Sequence, residues 1–173
     1  EVSRIYGRDI TAILQRRASD PWEYHARCKR AAIINQWVGG RALDQIEQQF
    51  SANPYQGTIG AGDVRGFADV TRLYLRAANE IAGIVLMGEG PDSLEVDYLL
   101  RRLEVGLPAE ALPLLELPVP LSRGEYLNLY NAGFVEIEAV FGVVKEEMLN
   151  YVAPNNVELL TNWLEEQSAQ YLN

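Results

Sequence analysis

Apolar residues recur along this chain at the three- and four-residue spacing of helices, and no segment alternates apolar and polar residues in the manner of a strand. The pattern predicts an all-α fold, a helical bundle around a long central helix. Start and stop signals divide the first half of the chain, because Asp and Pro begin helices and Gly ends them. They predict helices at residues 9–17, 21–38 and 43–50, a loop at 51–62, and a long helix that is capped by Asp63 and terminated at Gly88.

The second half of the chain is divided by prolines as well as glycines. One helix is predicted from Asp92 to Gly106, and the prolines between residues 108 and 120 predict short pieces after it. Ser122 and Glu125 have the spacing of a capping box, which predicts a helix that begins there and ends at Gly133. Further helices follow. The last is predicted from about residue 156 to residue 171, with an apolar face of Leu159, Leu160, Trp163 and Leu164.

The long helix carries its charged residues in one stripe. At 100° per residue, positions 65, 69, 72, 76 and 80 fall on the same side, and they are Arg, Asp, Arg, Arg and Glu. Most of the remaining circumference is apolar, which predicts a helix buried in its bundle with a single polar seam. One hypothesis is a ladder of ion pairs at i+3 and i+4 spacing: Arg65–Asp69, Asp69–Arg72 and Arg76–Glu80.

The other hypothesis for this stripe is a nucleic-acid contact. Guanidinium groups pair with phosphates and stack on bases, and proteins hold single strands in this way with little sequence preference. The candidate residues are Arg65, Arg72 and Arg76. The two hypotheses are compatible, because the carboxylates of the ladder would hold the arginines in place.

Charge is distributed unevenly between the two halves. The chain has 173 residues, which is enough for one large domain or two small ones. Its net charge is −9. Residues 1–87 hold 11 Lys and Arg against 9 Asp and Glu, a net of +2, whereas residues 88–173 hold 4 against 15, a net of −11. A polyanion is therefore expected to bind the first half and to be repelled by the second. We expect a helical bundle at residues 1–90 and an acidic helical subdomain at residues 91–173.

Few residues are available for catalysis or metal binding. The chain holds one histidine, His25, and one cysteine, Cys28, which excludes an internal disulfide and a Cys-rich zinc site. His25 is predicted to lie on the polar face of a helix, and Cys28 to be a small buried residue. Adjacent carboxylates such as Glu146 and Glu147 diverge on a helix and make poor metal or acid–base sites. We therefore predict no catalytic residue and no metal ligand.

Tryptophans and a second group of basic residues complete the candidates. Trp22, Trp37 and Trp163 fall at apolar helical positions, so we predict them to be core residues. A second group of basic residues is either a secondary basic patch or a solvated helix face: Arg16, Arg17, Arg27, Lys29 and Arg30.

Three segments of the first half occur in a recognisable order: the Trp-bearing helix IINQWVGG, the short helix LDQIEQQF and the long segment GDVRGFADVTRLYLRAANEIAGIV. In this order they resemble the helical ratchet bundle of superfamily 2 helicases of the Ski and archaeal Hjm type. Those proteins carry two ATP-driven motor domains and a winged helix, and their ratchet helix lies across the exiting single strand. The resemblance implies that Arg65 and Arg72, with Arg76 further along, contact the strand. The family often has a base-stacking aromatic near position 73, where this chain has Leu73 followed by Tyr74.

The second half contains the run LLRRLEVGLPAEALPLLELPVPLSRGEYLNLYNAGF, which resembles the same family's basic helix, short helix and helix-hairpin-helix. The stretch Leu129 to Gly133 fits that motif well. The hairpin departs from it, because Pro120-Leu121-Ser122 stands where the family has Gly-hydrophobe-Gly, and Gly124 and Glu125 replace basic residues. Pro120 also removes a backbone N–H that could bind phosphate. The resemblance thus implies a small helix-hairpin-helix-like subdomain that keeps the fold and has lost DNA binding.

Together these segments imply a non-catalytic accessory fragment of an ATP-dependent helicase. Neither a GxxxxGK[ST] phosphate loop nor an Asp-Glu-x-His or Asp-Glu-x-Asp motif is present, so this chain cannot hydrolyse ATP by itself. ATP and Mg²⁺ are expected for the motor domains of the parent polypeptide. The chain begins at Glu1 within a predicted helix, and we expect it to be a piece of that polypeptide. The expected partners are single-stranded DNA or RNA, the motor domains, and a protein that binds the acidic half.

The sequence also predicts where the protein is located, and it leaves one rival function open. The sequence shows no signal peptide and no apolar run of membrane-spanning length, and its single cysteine suits a reducing compartment. We therefore expect a cytoplasmic protein with no membrane partner. The rival to the helicase hypothesis is an acidic all-helical protein–protein interaction module that does not bind nucleic acid.

Overall fold

The computed structural model describes residue 8 and residues 11–13, 15–51, 57–87 and 90–171, with side chains described as far as residue 165. Within these ranges all regular secondary structure is helical, which confirms the predicted all-α class. Residues 11–13 and 15–17 are helical, in agreement with the first predicted helix. The elements that follow are α1 Pro21–Val38, α2 Leu43–Phe50, α3 Ala61–Val85, α4 Ser93–Val105, a 3₁₀ helix Ala109–Glu116, α5 Arg123–Asn131, α6 Ile137–Phe141, α7 Lys145–Met148 and α8 Pro154–Tyr171.

Helix α1 begins and ends where the local signals predicted. The Asp20 carboxylate accepts a hydrogen bond from the Glu23 backbone N–H at 2.8 Å, and Pro21 occupies the first helical turn, where its missing N–H costs nothing. At the other end, the Gly39 backbone N–H donates to the Asn35 carbonyl at 3.0 Å. The bounds predicted for α1 and α2 are confirmed.

Helix α3 begins two residues before the predicted position. Its N-cap is Gly60, and Asp63 lies inside the first turn, where its carboxylate accepts from the Gly60 backbone N–H at 2.9 Å. An aspartate can satisfy the free N–H groups of a helix start from the cap position or from the third helical position, and sequence alone does not separate the two. The predicted loop agrees at Ser51 and at residues 57–60, whereas residues 52–56 and the terminator Gly88 lie outside the described ranges.

Burial along α3 is confined mainly to its N-terminal half. Val64 and Ala68 are buried, and Phe67 and Leu75 pack against the same cluster. The prediction that this helix is buried nearly all round is therefore wrong, since even in the first half of the helix Val70 is exposed. The following apolar side chains of α3 and of the turn after it are exposed in this chain: Val70, Leu73, Tyr74, Ile81, Ile84, Val85, Leu86 and Met87.

The first compact unit, which extends to Glu104, is built on a core from four helices. Ile33 and Trp37 of α1, Ile46 of α2, Val64 of α3 and Leu103 of α4 are all buried in one cluster. The Trp37 indole N–H donates to the Leu103 carbonyl at 2.9 Å. Because α4 belongs to this core, the unit ends 14 residues beyond the expected division at residue 90.

The second compact unit, which begins at Val105, has its own core. Its central residues include Leu107, Leu114, Leu129, Val140 and Val157, each almost completely buried. Pro113 lies inside the 3₁₀ helix. The prediction that this proline separates two short pieces was therefore wrong. The predicted capping box at the start of α5 is confirmed: the Ser122 hydroxyl accepts from the Glu125 N–H at 3.3 Å, and the Glu125 carboxylate accepts from the Ser122 N–H at 2.7 Å.

Helix α8 begins at Pro154, two residues before the predicted start, and its apolar face is rotated from the predicted one. Leu160 is buried, and Trp163 and Leu164 are half-buried, as expected. Leu159 is 52% exposed, and Val157 takes a buried place on this face instead. The correction follows from helix geometry, because positions 157, 160 and 164 lie on one side and position 159 does not.

Helix α5 ends in a Schellman motif at Gly133. The Gly133 N–H donates to the Tyr130 carbonyl at 2.9 Å, the Phe134 N–H donates to the Leu129 carbonyl at 3.0 Å, and Gly133 has a φ of 94°. A Cβ at this position would have no heavy atom within 4 Å. The energetic cost of adding a side chain at position 133 therefore comes entirely from the left-handed backbone conformation.

Gly133→Ala is expected to lower the free energy of unfolding by about 1 kcal/mol, because an L-residue is strained at this φ. Gly66→Ala is the matched control, since Gly66 lies within α3 and its added Cβ would also meet nothing within 4 Å. That change should stabilise the protein by about 0.5–1 kcal/mol through helix propensity. Urea unfolding followed by circular dichroism measures both, and shifts of the same sign would contradict the assignment of backbone strain to Gly133.

Candidate nucleic-acid interface

The three arginines of the predicted stripe differ in their surroundings. Arg65 and Arg76 are exposed and make no ion pair with any described residue. Arg72 keeps only 25% of its side-chain surface, and its Nη1 lies 3.3 Å from the Asp69 carboxylate. Of the three predicted pairs of the ladder, Asp69–Arg72 is formed, whereas Arg65–Asp69 and Arg76–Glu80 are not formed in this part of the chain. Two guanidinium groups of the stripe are thus open to solvent.

Arg72 has a second partner that sequence reasoning missed. Its Nη2 lies 3.4 Å from the Glu104 carboxylate on α4, and Glu104 in turn lies 3.3 Å from Arg101 Nη1. The Arg72 Nε is buried and has no hydrogen-bond partner. Glu104 stands 32 positions along the chain on another helix, so no local spacing rule points to it. Only the packing of α4 on α3 brings the two residues together.

A groove of about 900 Å³ runs between α1, α3 and α4. None of Arg65, Arg72 and Arg76 lines it. The lining residues of α3 include Val70 and Tyr74, which lie about 160° around the helix from Arg72 and Arg76 respectively. Tyr74 therefore faces the groove, whereas Leu73, which is 66% exposed, lies nearer the arginine stripe. The predicted strand contacts and the groove occupy opposite flanks of α3.

Three other arginines line the groove: Arg27 and Arg30 of α1, and Arg102 of α4. Arg27 pairs with Glu23, whose pKa is lowered to about 2 by hydrogen bonds from the Ser19 hydroxyl and backbone N–H and by Arg27 itself. Arg102 Nη2 donates to the Val38 carbonyl at 3.1 Å. Arg30 is exposed and makes no ion pair with a described residue. Two of the three belong to the basic group noted in the sequence, and Arg102 joins them through tertiary packing.

Two backbone N–H groups at the predicted hairpin, those of Leu121 and Ser122, already donate to side chains of this chain. The Leu121 N–H donates to the Tyr126 hydroxyl at 3.2 Å, and the Ser122 N–H donates to the Glu125 carboxylate at 2.7 Å. Pro120 has no N–H to offer. Phosphate binding at such a turn depends on free N–H groups, and a carboxylate beside them repels phosphate.

The remaining candidates lie mostly where the sequence placed them. His25 is exposed, with its ring against that of Tyr24, and Cys28 is half-buried rather than fully buried. Trp37 is a core residue as predicted, and Trp163 stacks on Phe141 with ring centroids 5.1 Å apart. Trp22 is 78% exposed, so its prediction as a core residue was wrong: α1 packs through Ile33, Trp37 and Val38 near its other end.

Within the described residues there is no group of three or more His, Cys, Asp and Glu side chains that could hold a metal ion. Among the helices described, none combines the length and the apolar character needed to cross a membrane. No protein-family model matches this sequence, and no curated protein matches it significantly. The function of this chain is therefore inferred from its own residues.

Proposed function

We propose that this chain is a non-catalytic accessory part of an ATP-dependent nucleic-acid helicase. In this proposal α3 guides single-stranded DNA or RNA along Arg65, Arg72 and Arg76, and ATP and Mg²⁺ act in motor domains of the same polypeptide. The observation that carries the proposal is the exposure of Arg65 and Arg76 on one side of α3, with no ion pair to a described residue. The sequence resemblance to the ratchet bundle of Ski- and Hjm-type helicases supplies the parent class.

The spacing of the two exposed arginines suits an extended strand. Eleven residues of α-helix separate their Cα atoms by about 16 Å along the axis, enough to cover several phosphates of one strand. Their charges are fixed at any physiological pH, because guanidinium groups do not lose their protons in proteins. They lie in the half of the chain whose net charge is positive. Contacts of this type bind the backbone and carry little sequence information.

Arg72 has a different part in the proposal. Asp69 and Glu104 flank its guanidinium group, so its net attraction for a phosphate is smaller than that of Arg65 or Arg76. The same carboxylates restrict the side chain to one orientation, which lowers the entropy lost when a strand binds. We infer that Arg72 orients the bound strand more than it adds to the binding affinity.

We propose that the second unit either has a structural packing role or binds a protein partner. The helix-hairpin-helix-like turn is proposed to be degenerate, because the N–H groups of Leu121 and Ser122 are occupied by Tyr126 and Glu125. The strongly negative charge of this half also opposes nucleic acid.

A paired charge reversal tests the strand contact. Arg65→Glu/Arg76→Glu is expected to weaken binding of a fluorescein-labelled dT oligonucleotide at least tenfold, because two phosphate contacts become repulsive. The slope of log K against log salt should also fall by about 1.4, at about 0.7 per contact for a single strand. Fluorescence anisotropy over a salt series gives both quantities.

The matched control is Arg8→Glu/Lys145→Glu, which makes the same charge change at two exposed basic residues outside both the stripe and the groove. This control should change the affinity less than threefold and leave the salt slope unchanged. If the stripe variant binds the oligonucleotide as the unchanged protein does, the strand-guiding function is wrong. The exposed apolar side chains of the C-terminal half of α3 would then favour the second candidate, a protein–protein interaction module.

A further inference from the structure

We propose that the groove between α1, α3 and α4 is a docking site for an amphipathic helix with acidic flanks, supplied by a partner protein. This inference goes beyond strand guidance, because the groove lies on the flank of α3 opposite the arginine stripe and shares none of its residues. It assigns to the first unit a protein-binding surface in addition to the nucleic-acid surface proposed above.

The lining of the groove is largely apolar. Its aliphatic and aromatic residues include Ile34, Val38, Phe67, Val70, Leu75 and Leu99. Val70 is 51% exposed and Tyr74 is 70% exposed, so apolar surface at the mouth is in contact with water. Grooves between two helices accept the apolar face of a third helix, which inserts side chains at i, i+3, i+4 and i+7. A groove of about 900 Å³ has room for several such side chains.

The charged residues that line the groove favour a docked helix with acidic flanks. Three arginines and one aspartate, Asp63, line it, which gives a net formal charge of +2. Arg27 is partly neutralised by Glu23, whereas Arg30 makes no ion pair with a described residue and Arg102 donates only to a carbonyl among the contacts described. Glutamates beside the apolar face of a docked helix would reach these guanidinium groups. Complementary charge of this kind steers encounter and fixes the orientation of the bound helix.

A protein helix fits this lining better than a nucleic-acid strand does. Sites for single strands combine cations with exposed aromatic rings on which successive bases stack. Phe67 packs against the core of the unit, so only Tyr74, which is 70% exposed, offers a stacking ring in this groove, and one ring serves one base rather than successive bases. The aliphatic surface around Val70 and Leu99 would cover sugar and phosphate groups without offering them a hydrogen bond, which is costly. Asp63 would repel a phosphate directly.

The experiment uses the whole 173-residue chain and a fluorescein-labelled synthetic helical peptide of 16 residues. Leucines at i, i+3, i+4 and i+7 form the apolar face of the peptide, and glutamates flank it. One control peptide has the same composition in scrambled order, and another has lysines in place of the glutamates. Saturable binding by anisotropy is expected for the first peptide, with affinity at least about tenfold weaker for each control.

Paired variants of the protein locate the binding site. Val70→Glu and Arg30→Glu are each expected to weaken peptide binding at least about tenfold. Leu73→Glu and Arg65→Glu make the same chemical changes at exposed positions outside the groove lining, and they should alter peptide binding less than twofold. Arg30 is exposed, so its variant tests the site even if Val70→Glu perturbs the fold, which circular dichroism will reveal.

The same variants separate this proposal from the proposed function. Arg65→Glu should weaken dT oligonucleotide binding and spare the peptide, whereas Arg30→Glu should do the reverse. Absence of saturable peptide binding, or equal losses inside and outside the groove, overturns the docking proposal and leaves strand guidance intact. Oligonucleotide binding that is lost in Arg30→Glu and kept in Arg65→Glu makes the groove a nucleic-acid site and contradicts both proposals.

Discussion

Trp37→Ala is expected to destabilise the first unit by about 4 kcal/mol, the largest effect that we predict for a single substitution. Trp37 is only 3% exposed and packs in a cluster with Ile33, Ile46 and Leu103. Removal of a buried indole leaves a cavity that a packed core fills poorly, which typically costs about 3–5 kcal/mol. The change also leaves the Leu103 carbonyl without the indole N–H that donates to it at 2.9 Å.

Urea unfolding followed by far-ultraviolet circular dichroism measures this loss. Trp22→Ala is the matched control, because Trp22 lies on the same helix with 78% of its surface exposed, and a change below about 0.5 kcal/mol is expected there. Trp37→Phe should fall between the two, since it keeps much of the volume and loses the hydrogen bond. Similar losses at positions 22 and 37 would contradict the core assignment of Trp37.

Glu125→Ala is expected to destabilise the second unit by about 2 kcal/mol at neutral pH, because one carboxylate serves several donors. Its Oε2 accepts from the Ser122 N–H at 2.7 Å and from the Ser122 hydroxyl at 2.6 Å. Its Oε1 accepts from the Ala153 N–H and from the Asn156 amide, both at 2.9 Å. The side chain thus joins the start of α5 to the start of α8, 28 residues further along the chain.

The pH dependence of this contribution follows from the same contacts. Partial burial raises the pKa of Glu125, but hydrogen bonds from Ser122, Ala153 and Asn156 outweigh it and lower the pKa to about 2 from an ordinary value of 4.5. Because the folded pKa lies below the unfolded one, the stabilisation is complete above about pH 4.5 and is lost as the pH falls toward 2. Allowing for solvent screening of a half-exposed group, it amounts to about 1–2 kcal/mol.

Unfolding of the unchanged protein and of Glu125→Gln, measured between pH 7 and pH 2.5, tests this prediction. The difference between the two should shrink as the pH approaches 2.5, because glutamine does not titrate. Glu158→Ala, at an exposed carboxylate of α8, should change stability by less than about 0.5 kcal/mol at pH 7. A gap between Glu125 and Gln that is constant with pH would mean that the carboxylate charge has no part in the stabilisation.

Local signals were sufficient to predict most helix ends. Asp20 with Pro21, and Ser122 with Glu125, satisfy backbone N–H groups within four residues of themselves, so their effect is readable without knowledge of the tertiary structure. Gly133 likewise requires only its own backbone conformation. The shift of the α3 start from Asp63 to Ala61 marks the limit of such rules, because a carboxylate can serve a helix start from more than one position.

Burial was less predictable, because it depends on which face of a helix meets a neighbour. Trp22 and Leu159 have the apolar character of core residues and are exposed, since the packed faces of their helices lie elsewhere. The same limit applies to the C-terminal half of α3, where Ile81 and Ile84 are exposed in this chain. The apolar residues of this half predict a hydrophobic surface, but the sequence does not indicate which element or partner would cover it.

The candidate surfaces were predictable in part. The stripe of Arg65, Arg72 and Arg76 follows from helical spacing alone, and two of these side chains are exposed as the nucleic-acid hypothesis requires. The Glu104 partner of Arg72 and the contribution of Arg102 to the groove required the placement of α4, which no motif encodes. Pairings between distant segments are set by the packing of whole helices.

Helix α4 is common to both flanks of α3, since Leu99 and Arg102 line the groove while Glu104 holds Arg72 on the other side. A displacement of α4 by a ligand seated in the groove would alter how strongly Arg72 is neutralised. Two ligands that act on one element in this manner are thermodynamically linked, and the linkage is reciprocal. Any factor by which the first changes the affinity for the second must equal the factor for the reverse order of addition.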